Sequence, residues 1–554
     1  MSRAANIMTL VRNLTNLRCR QSPTRIVGHS LRRFVVDRML SASCWLLLAS
    51  QPIAVAQSPT ETAVSDSVSI TTLTSPEADM RVASRSPNGM FLGSQSCASA
   101  SCHGNPRRES VLGSAAHFFL DRDTHQSAGT VLRGKRSQEM AARLKLPQPA
   151  WETRECLICH APSAVQTTER SDFSTRLSEG VSCESCHGPA RQWIGLHHTT
   201  EWKQPELWTS DRKSQTGFRE TKSLLARIHL CVDCHVGNAG QSVTHDFIAA
   251  GHPRLVFEYS AHQSQMPVHW RRADDRRLTP VANHATSLDR STYEATNWLL
   301  GQLINAEHEL DILAAAADNP NRAWPELAQY DCFACHHELA SPNWRKARAA
   351  WNLKPGELQW GTWNLGLIAE TQRRLPSRLS DQLVVDQTEF VATMRPIPAD
   401  RTRVSGLIAK LRPQLAEAAR ELSQSPLSAE DLTKIRDGLL ESDQQLTEQG
   451  WDRSTQLFLA TVALDKGATD ARGLGNHVDP ARLAAYLRLR ELLSFSDTTQ
   501  ADPPRSESPY RLDSDWPAIL QQFQQLQSPR GNSNDPAEIP DEQSLPSRAS
   551  ERNR

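Results

Sequence analysis

Large apolar side chains are scarce in this chain of 554 residues, of which 38% are hydrophobic and 6% aromatic. A chain of this length makes two or three ordinary domains with a substantial core, so the shortage implies that something besides side chains fills part of the interior. A bound cofactor would do that. Long apolar runs are lacking as well. The one stretch of note, "CWLLLASQPIAVA" from Cys44 to Ala56, is too short to span a bilayer. Basic clusters disappear once the first 56 residues are set aside. Those contain eight arginines, no lysine and one acid, Asp37, and the remainder holds 54 basic against 61 acidic residues. With no basic stripe to neutralise phosphates, nucleic acid is not expected as a partner.

The first 56 residues themselves read as an export signal. An arginine-bearing segment precedes the apolar run, which ends in Ala54-Val55-Ala56 before Gln57. An uncleaved anchor is the weaker alternative on length. Arg32-Arg33 is a poor match to a twin-arginine signal, and a lipoprotein role for Cys44 fails because the apolar run follows the cysteine. Cleavage after Ala56 would remove Cys19 and Cys44 and leave ten cysteines in a periplasmic protein.

Ten cysteines in an oxidising compartment invite a disulfide framework, but all ten fall in pairs followed at once by histidine. The pairs are Cys97 and Cys102 with His103, Cys156 and Cys159 with His160, Cys183 and Cys186 with His187, Cys231 and Cys234 with His235, and Cys332 and Cys335 with His336. C-x-x-C-H is the attachment signature of c-type haem. Two thiols add across the two porphyrin vinyl groups, and the adjacent histidine is placed under the iron as its proximal ligand. A single such match has a chance expectation on the order of 0.01 at this composition, so four cannot be coincidence. The first motif has four intervening residues, a longer linker that a haem still accepts. Zinc is the rival, since paired cysteines with histidine also build zinc sites. A zinc site gains nothing from a histidine directly after the second cysteine every time. The motifs therefore predict five covalently attached haem c groups, and the export signal agrees, because such attachment takes place outside the cytoplasm on an unfolded chain.

Function then turns on the sixth iron position, since two histidines favour electron transfer and an open position admits substrate. Thirteen histidines beyond residue 56 are not proximal, ample for five distal ligands. Local context selects His125 in "DRDTHQSAGTVL", His245 and His252 in "THDFIAAGHPRL", and His269 in the Pro-containing "MPVHW". The seven-residue spacing of His245 and His252 puts them two turns apart on one helical face, with Gly251 and Pro253 at an expected helix end. His197 and His198 are the remaining choice. His117, His229, His262, His284, His308, His337 and His477 read as ordinary, and Met266 is a weak axial alternative.

At these residues the chain resembles the tetrahaem "cytochrome c five-five-four" type of multihaem cytochrome, relatives of the haem packing in hydroxylamine oxidoreductase. "GVSCESCHGPARQWIGLH" looks like that family's G-V-x-C-E-S-C-H-G-P-x-R stretch, in which the later histidine ligates a different haem; this implies His197 over His198. "DTHQSAGTVL" is similar to the family's upstream segment, so the distal role carries to His125. The resemblance covers roughly residues 90 to 345, with five motifs where the tetrahaem family has four. That family leaves one haem without a distal ligand, whereas here five candidates could close every site.

The expected architecture is mainly α: a flexible linker over 57–89, a pentahaem cytochrome domain over 90–345, a helical module without haem over 346–500, and a mostly disordered tail over 501–554. Val404, Ile408, Leu411, Leu415, Ala418 and Leu422 form one apolar stripe, with Pro413 as a kink. Ser428 and Asp431 form a capping box, Leu427 and Leu432 a staple, followed by Ile435, Leu439 and Leu446. A further helix starts at Asp479-Pro480, and a short one covers Trp516 to Leu526. The whole reads as a periplasmic electron carrier served by redox partner proteins, with a membrane quinol-oxidising complex as one candidate. The alternative is an oxidoreductase acting on hydroxylamine, nitrite or nitric oxide at one five-coordinate haem, although no motif ends in lysine as in the pentahaem nitrite reductases.

Overall fold

The computed structural model of the chain describes residues 90–106, 112–166, 170–267, 269, 292–336, 349, 352–376, 378–425, 427–442, 450–472, 479–493 and 516–527. The export signal, the linker, most of the tail, Trp270 and Leu446 lie outside these. The protein is mainly α. Among the described residues β pairing is confined to three isolated bridges, Asn238 with Gln241, Tyr330 with Trp360 and Glu357 with Pro396.

The helices are α1 (Ala115–Arg122), α2 (Lys135–Arg143), α3 (Arg154–His160), α4 (Arg170–Glu179), α5 (Cys183–His187), α6 (Ser210–Gln215), α7 (Leu224–His235), α8 (His245–Ala250) and α9 (Tyr259–Gln265). They are joined by 3-10 turns and long connections. Eight described helices follow, most of them longer: α10 (Tyr293–Asp318), α11 (Ile368–Arg374), α12 (Asp381–Met394), α13 (Arg401–Gln424), α14 (Ala429–Glu441), α15 (Trp451–Ala471), α16 (Pro480–Leu493) and α17 (Trp516–Gln527).

Local chemistry sets several of these boundaries. The stripe from Val404 to Leu422 is buried along α13, which Asp400 caps by accepting from the Arg403 N–H, and the helix continues through Pro413. Ser428 and Asp431 exchange the two bonds of a capping box at the head of α14, behind which Leu427 and Leu432 are buried. Asp479 accepts from the Ala481 and Arg482 N–H groups to start α16. Helix α17 buries Ile519, Phe523 and Leu526.

Helices α10 and α15 are the centre of the assembly and have no solvent-exposed face to betray them. Nearly every residue of α10 from Tyr293 to Leu310 is buried, and it packs against α13, α15, α9 and α7. One apolar core runs from Ile228 and Val232 on α7 through α10 to Phe523 on α17. Upstream lie only small clusters, one around Leu132, Leu157 and Leu177 and one around Trp193 and Trp202. Among the described residues no helix is long and apolar enough to cross a membrane.

Candidate functional site

Three motifs sit on helix. "CLICH" closes α3, "CESCH" is the whole of α5, and "CVDCH" closes α7. Residues three apart share a helical face, and the next residue stands one turn above the first cysteine. Both thiols and the imidazole are thereby presented along one face of the helix. The first motif uses a 3-10 turn, Ser94–Cys97, and then a turn that brings the His103 N–H to the Cys97 carbonyl at 3.3 Å. The fifth starts on the turn Cys332–Ala334, with the His336 N–H on the Cys332 carbonyl at 2.8 Å. Among the described residues the ten motif cysteines form no disulfide.

Four of the five motif histidines face a second histidine from elsewhere in the chain. Ring centroids are 6.2 Å apart for His103 and His197, 6.4 Å for His160 and His252, 6.0 Å for His235 and His125, and 6.1 Å for His336 and His245. His187 and His269 lie within electrostatic reach of each other. A first-row metal bonds imidazole nitrogen at about 2 Å, so two rings trans on one ion have centroids about 6 Å apart. The separations match that figure, and the donor set fits an iron held between two histidines with two flanking thiols. Zinc would need its ligands on one point, and among the described residues no three His, Cys, Asp or Glu side chains converge in that way.

Outer partners hold the rings in a ligating tautomer. Nδ1 of His103, His160, His197 and His252 donates to the carbonyls of Leu112, Ala128, Ile194 and Pro253 at 2.7, 3.0, 2.7 and 2.8 Å. His125 Nδ1 donates to the Asp123 carboxylate at 2.9 Å. The proton on Nδ1 leaves Nε2 with its lone pair. Burial raises the Asp123 carboxyl, but the bond and charge of His125 outweigh it and leave it lowered. Burial, and then the neighbouring histidines, pull His187 down to about 4 and His235 down to about 3, so both rings are neutral at neutral pH.

The motifs also touch one another. Cys97 and Cys183 form a hydrogen bond, which lowers the first thiol to about 7 and raises the second. Cys234 is hydrogen-bonded to Cys159, and that contact and burial raise it. Burial pushes Cys186 up to about 11 and Cys231 to about 12, and Cys186 acts electrostatically on Cys231. The first motif therefore adjoins the third, the third the fourth, and the fourth the second. His252 faces the second motif and His245 the fifth, which ties those two together.

Some local expectations change. His245 and His252 do not share a helix: α8 ends at Ala250, and Gly251 at φ 115 turns the chain so that His252 lies beyond it. The two rings reach different sites, as two ligands two turns apart would, but the left-handed residue between them sets their directions. His125 sits in a 3-10 turn, Thr124–Ser127, capped by Asp123. His198 is a ring-edge neighbour of His197 at 5.7 Å, and Met266 is the C-cap of α9.

Other residues near the site gave no sequence signal. His262 comes within 5.7 Å of His235. Phe257 stacks on His235 at 4.7 Å and His262 packs on Phe257 at 4.5 Å, so His262 stands on the flank of His235, while His125 repeats the spacing of the other pairs. His229 Nδ1 meets His308 Nε2 at 2.9 Å, and His308 Nδ1 donates to the Gly237 carbonyl at 2.9 Å. Glu184, between the cysteines of the third motif, is buried and accepts from the N–H groups of Leu92, Gly93 and Ala190 at 2.9, 2.6 and 2.7 Å. Gly188 at φ 82 turns the chain back towards Glu184; a Cβ there would stand 2.0 Å from the Gly217 carbonyl oxygen.

Residues 96–188 match the family described as cytochrome c554 and c-prime, a span that takes in the first three motifs. No curated protein and no solved structure matches the chain. The family match supports a multihaem c-type cytochrome, with covalently bound haem c and electron transfer as the class of function.

Proposed function

We propose that the chain is a periplasmic pentahaem cytochrome that passes electrons along five bis-histidine sites, in the spatial order first, third, fourth, second, fifth motif. The observation that carries this reading is the pairing of motif histidines with histidines from elsewhere at separations of 6.0 to 6.4 Å. The ten motif cysteines anchor the cofactors. His103, His160, His187, His235 and His336 are the proximal ligands, and His197, His252, His269, His125 and His245 are their respective distal ligands.

Bound haem c supplies a one-electron iron couple. The chain's own contribution is to fix five ligand pairs, to hold Nε2 free through the Nδ1 bonds, and to bury His187 and His235. The thiols bridging first to third and fourth to second motif support close packing of successive sites. Cys102 and Cys335 are exposed, which fits the first and fifth sites as the two ends that meet redox partners, a quinol-oxidising complex among them.

Low-temperature EPR of the oxidised holoprotein, with a haem count by mass, tests this. Five haems and low-spin signals throughout are expected. A high-spin ferric signal that shifts with nitrite or hydroxylamine would instead make the protein an oxidoreductase with one open site. His125→Ala should convert one site to high spin while His262→Ala leaves all five low-spin; the reverse result would exchange their roles.

A further inference from the structure

His125, which faces His235 of the fourth motif, is held in a way that four other ligand rings are not. His103, His160, His197 and His252 each give the Nδ1 proton to a backbone carbonyl. His125 gives its own to a carboxylate, Asp123 Oδ1, at 2.9 Å. The same oxygen accepts the His125 backbone N–H at 3.0 Å.

The backbone bond alone would make Asp123 a cap for the 3-10 turn Thr124–Ser127. The bond to the ring does more. The Asp123 side chain is 6% exposed, so little solvent screens its charge, and among the described residues no lysine or arginine pairs with it. Arg122, its neighbour in sequence, lies over the Phe118 ring, 5.7 Å from the centroid. Arg219 donates to the Ser185 carbonyl at 2.9 Å. The imidazole is therefore the group that receives the carboxylate's charge.

The chain also fixes His125 from the other side. The Val181 N–H, just ahead of the third motif, donates to the His125 carbonyl at 3.0 Å. Gly180, at φ 63, makes room for that approach, since a Cβ there would stand 2.4 Å from the same carbonyl oxygen.

We propose that Asp123 is a positioning residue that lowers the potential of the fourth-motif site: through Nδ1 it makes His125 a stronger donor than a carbonyl-bonded histidine and so favours ferric iron there. The inference rests on the five-site reading above, in which His125 and His235 are that site's axial ligands. A histidine that shares its Nδ1 proton with a carboxylate is the more basic ligand at Nε2, and a fixed negative charge beside an iron disfavours the added electron. The couple moves one electron, from a reduced neighbouring site to the ferric iron, and the proton stays between Nδ1 and Asp123. In the spatial order of the five sites this one is third. The site that every electron crossing the protein must use is thus the one that the chain tunes with a charge.

A purely structural role for Asp123 makes a different forecast. The Ala128 carbonyl, directly after the turn, accepts from His160 Nδ1 at 3.0 Å. A turn loosened by loss of its cap would disturb the second-motif site along with the fourth, whereas a charge acting through one ring disturbs one site only.

The test is a spectroelectrochemical titration of the full-length holoprotein, with low-temperature EPR of the oxidised state, for wild type, Asp123→Asn and Asp123→Ser. Both replacements keep an acceptor for the His125 N–H groups without the charge. In each, one potential should rise by about 59 mV, a tenfold shift in the equilibrium of a one-electron couple, the other four should hold, and one low-spin EPR signal should change its g values. Unchanged potentials in a variant that carries five low-spin haems overturn the proposal. Shifts at two sites also overturn it, and make Asp123 a cap alone. The wild type gives a check free of any substitution: near-infrared magnetic circular dichroism, whose charge-transfer band follows the donor strength of the axial ligands, should set one ferric site apart from the other four. Five coincident bands overturn the proposal as well. Five low-spin sites in His125→Ala refute instead the ligand assignment on which it rests.

Discussion

Residues 90–267 hold nine described helices, the longest of twelve residues, α7, and apart from α7 and the stretch around Phe257 their apolar clusters are small. From α10 onward the helices reach 26, 24 and 21 residues and share one continuous core. Helices as short as those upstream are not stable alone and need a packing partner. Downstream that partner is Leu, Ile and Phe. Upstream the groups turned inward are imidazoles and thiols, which need cofactors to complete the interior. The two halves thus answer the shortage of apolar residues in different ways, and α7, with Cys231, Cys234 and His235 beside core residues Ile228 and Val232, belongs to both.

The largest effect should come from withholding haem. Full-length protein made without haem attachment should be cut readily by protease between residues 90 and 225, while a helical fragment containing α10 to α16 resists; uniform resistance would erase the contrast between the halves. Next is Asp465→Asn. Asp465 is held by Arg436 at 2.6 Å, Arg482 at 2.8 Å and the Tyr486 hydroxyl at 2.7 Å. Taking the buried carboxylate's charge away from Arg482 and from Arg436, which keeps Asp437, should destabilise the downstream half by roughly 3 kcal/mol, read as a lower thermal midpoint by circular dichroism with the haem spectrum unchanged.

The same carboxylate sets an acid limit. Burial raises it, but Arg482, Arg436 and Tyr486 together leave it below its usual value of 3.8. Its contribution to stability is therefore present above about pH 4 and is lost as pH falls through the lower folded value. Denaturation midpoints measured down the acid range should drop faster in the wild type than in Asp465→Asn. The smallest effect is expected from Ser428→Ala, which removes half of a capping box and should lower stability by about 1 kcal/mol, again with no change at the haem bands. A spectral change there would mean that the downstream helices tune the sites directly.

What the sequence made legible was whatever a short pattern encodes. Ser428 and Asp431 announce a helix start three residues apart, the stripe from Val404 to Leu422 repeats at helical spacing, and the cysteine pairs declare their own chemistry. Helices α10 and α15 were missed because residues buried on all sides leave no solvent-exposed face and so no periodicity. The bend after α8 was half-legible: Gly251 marked a helix end, but only its left-handed conformation separates His245 from His252. His262 and the His229–His308 contact depend on neighbours tens of residues away in sequence, where no local pattern reaches.

The carboxylate of Glu184 has a consequence in time as well as in space. It holds Leu92, 92 positions earlier in the chain, so the loop that settles the first motif stays open until the third has come into place. A contact of such sequence separation forms late. Cys97 and Cys102 should therefore remain open to haem attachment until that contact forms, and the unusual five-residue step between them is offered on a slack chain. A mutation at Glu184 would then register first in the order and completeness of maturation, before any change in the finished molecule.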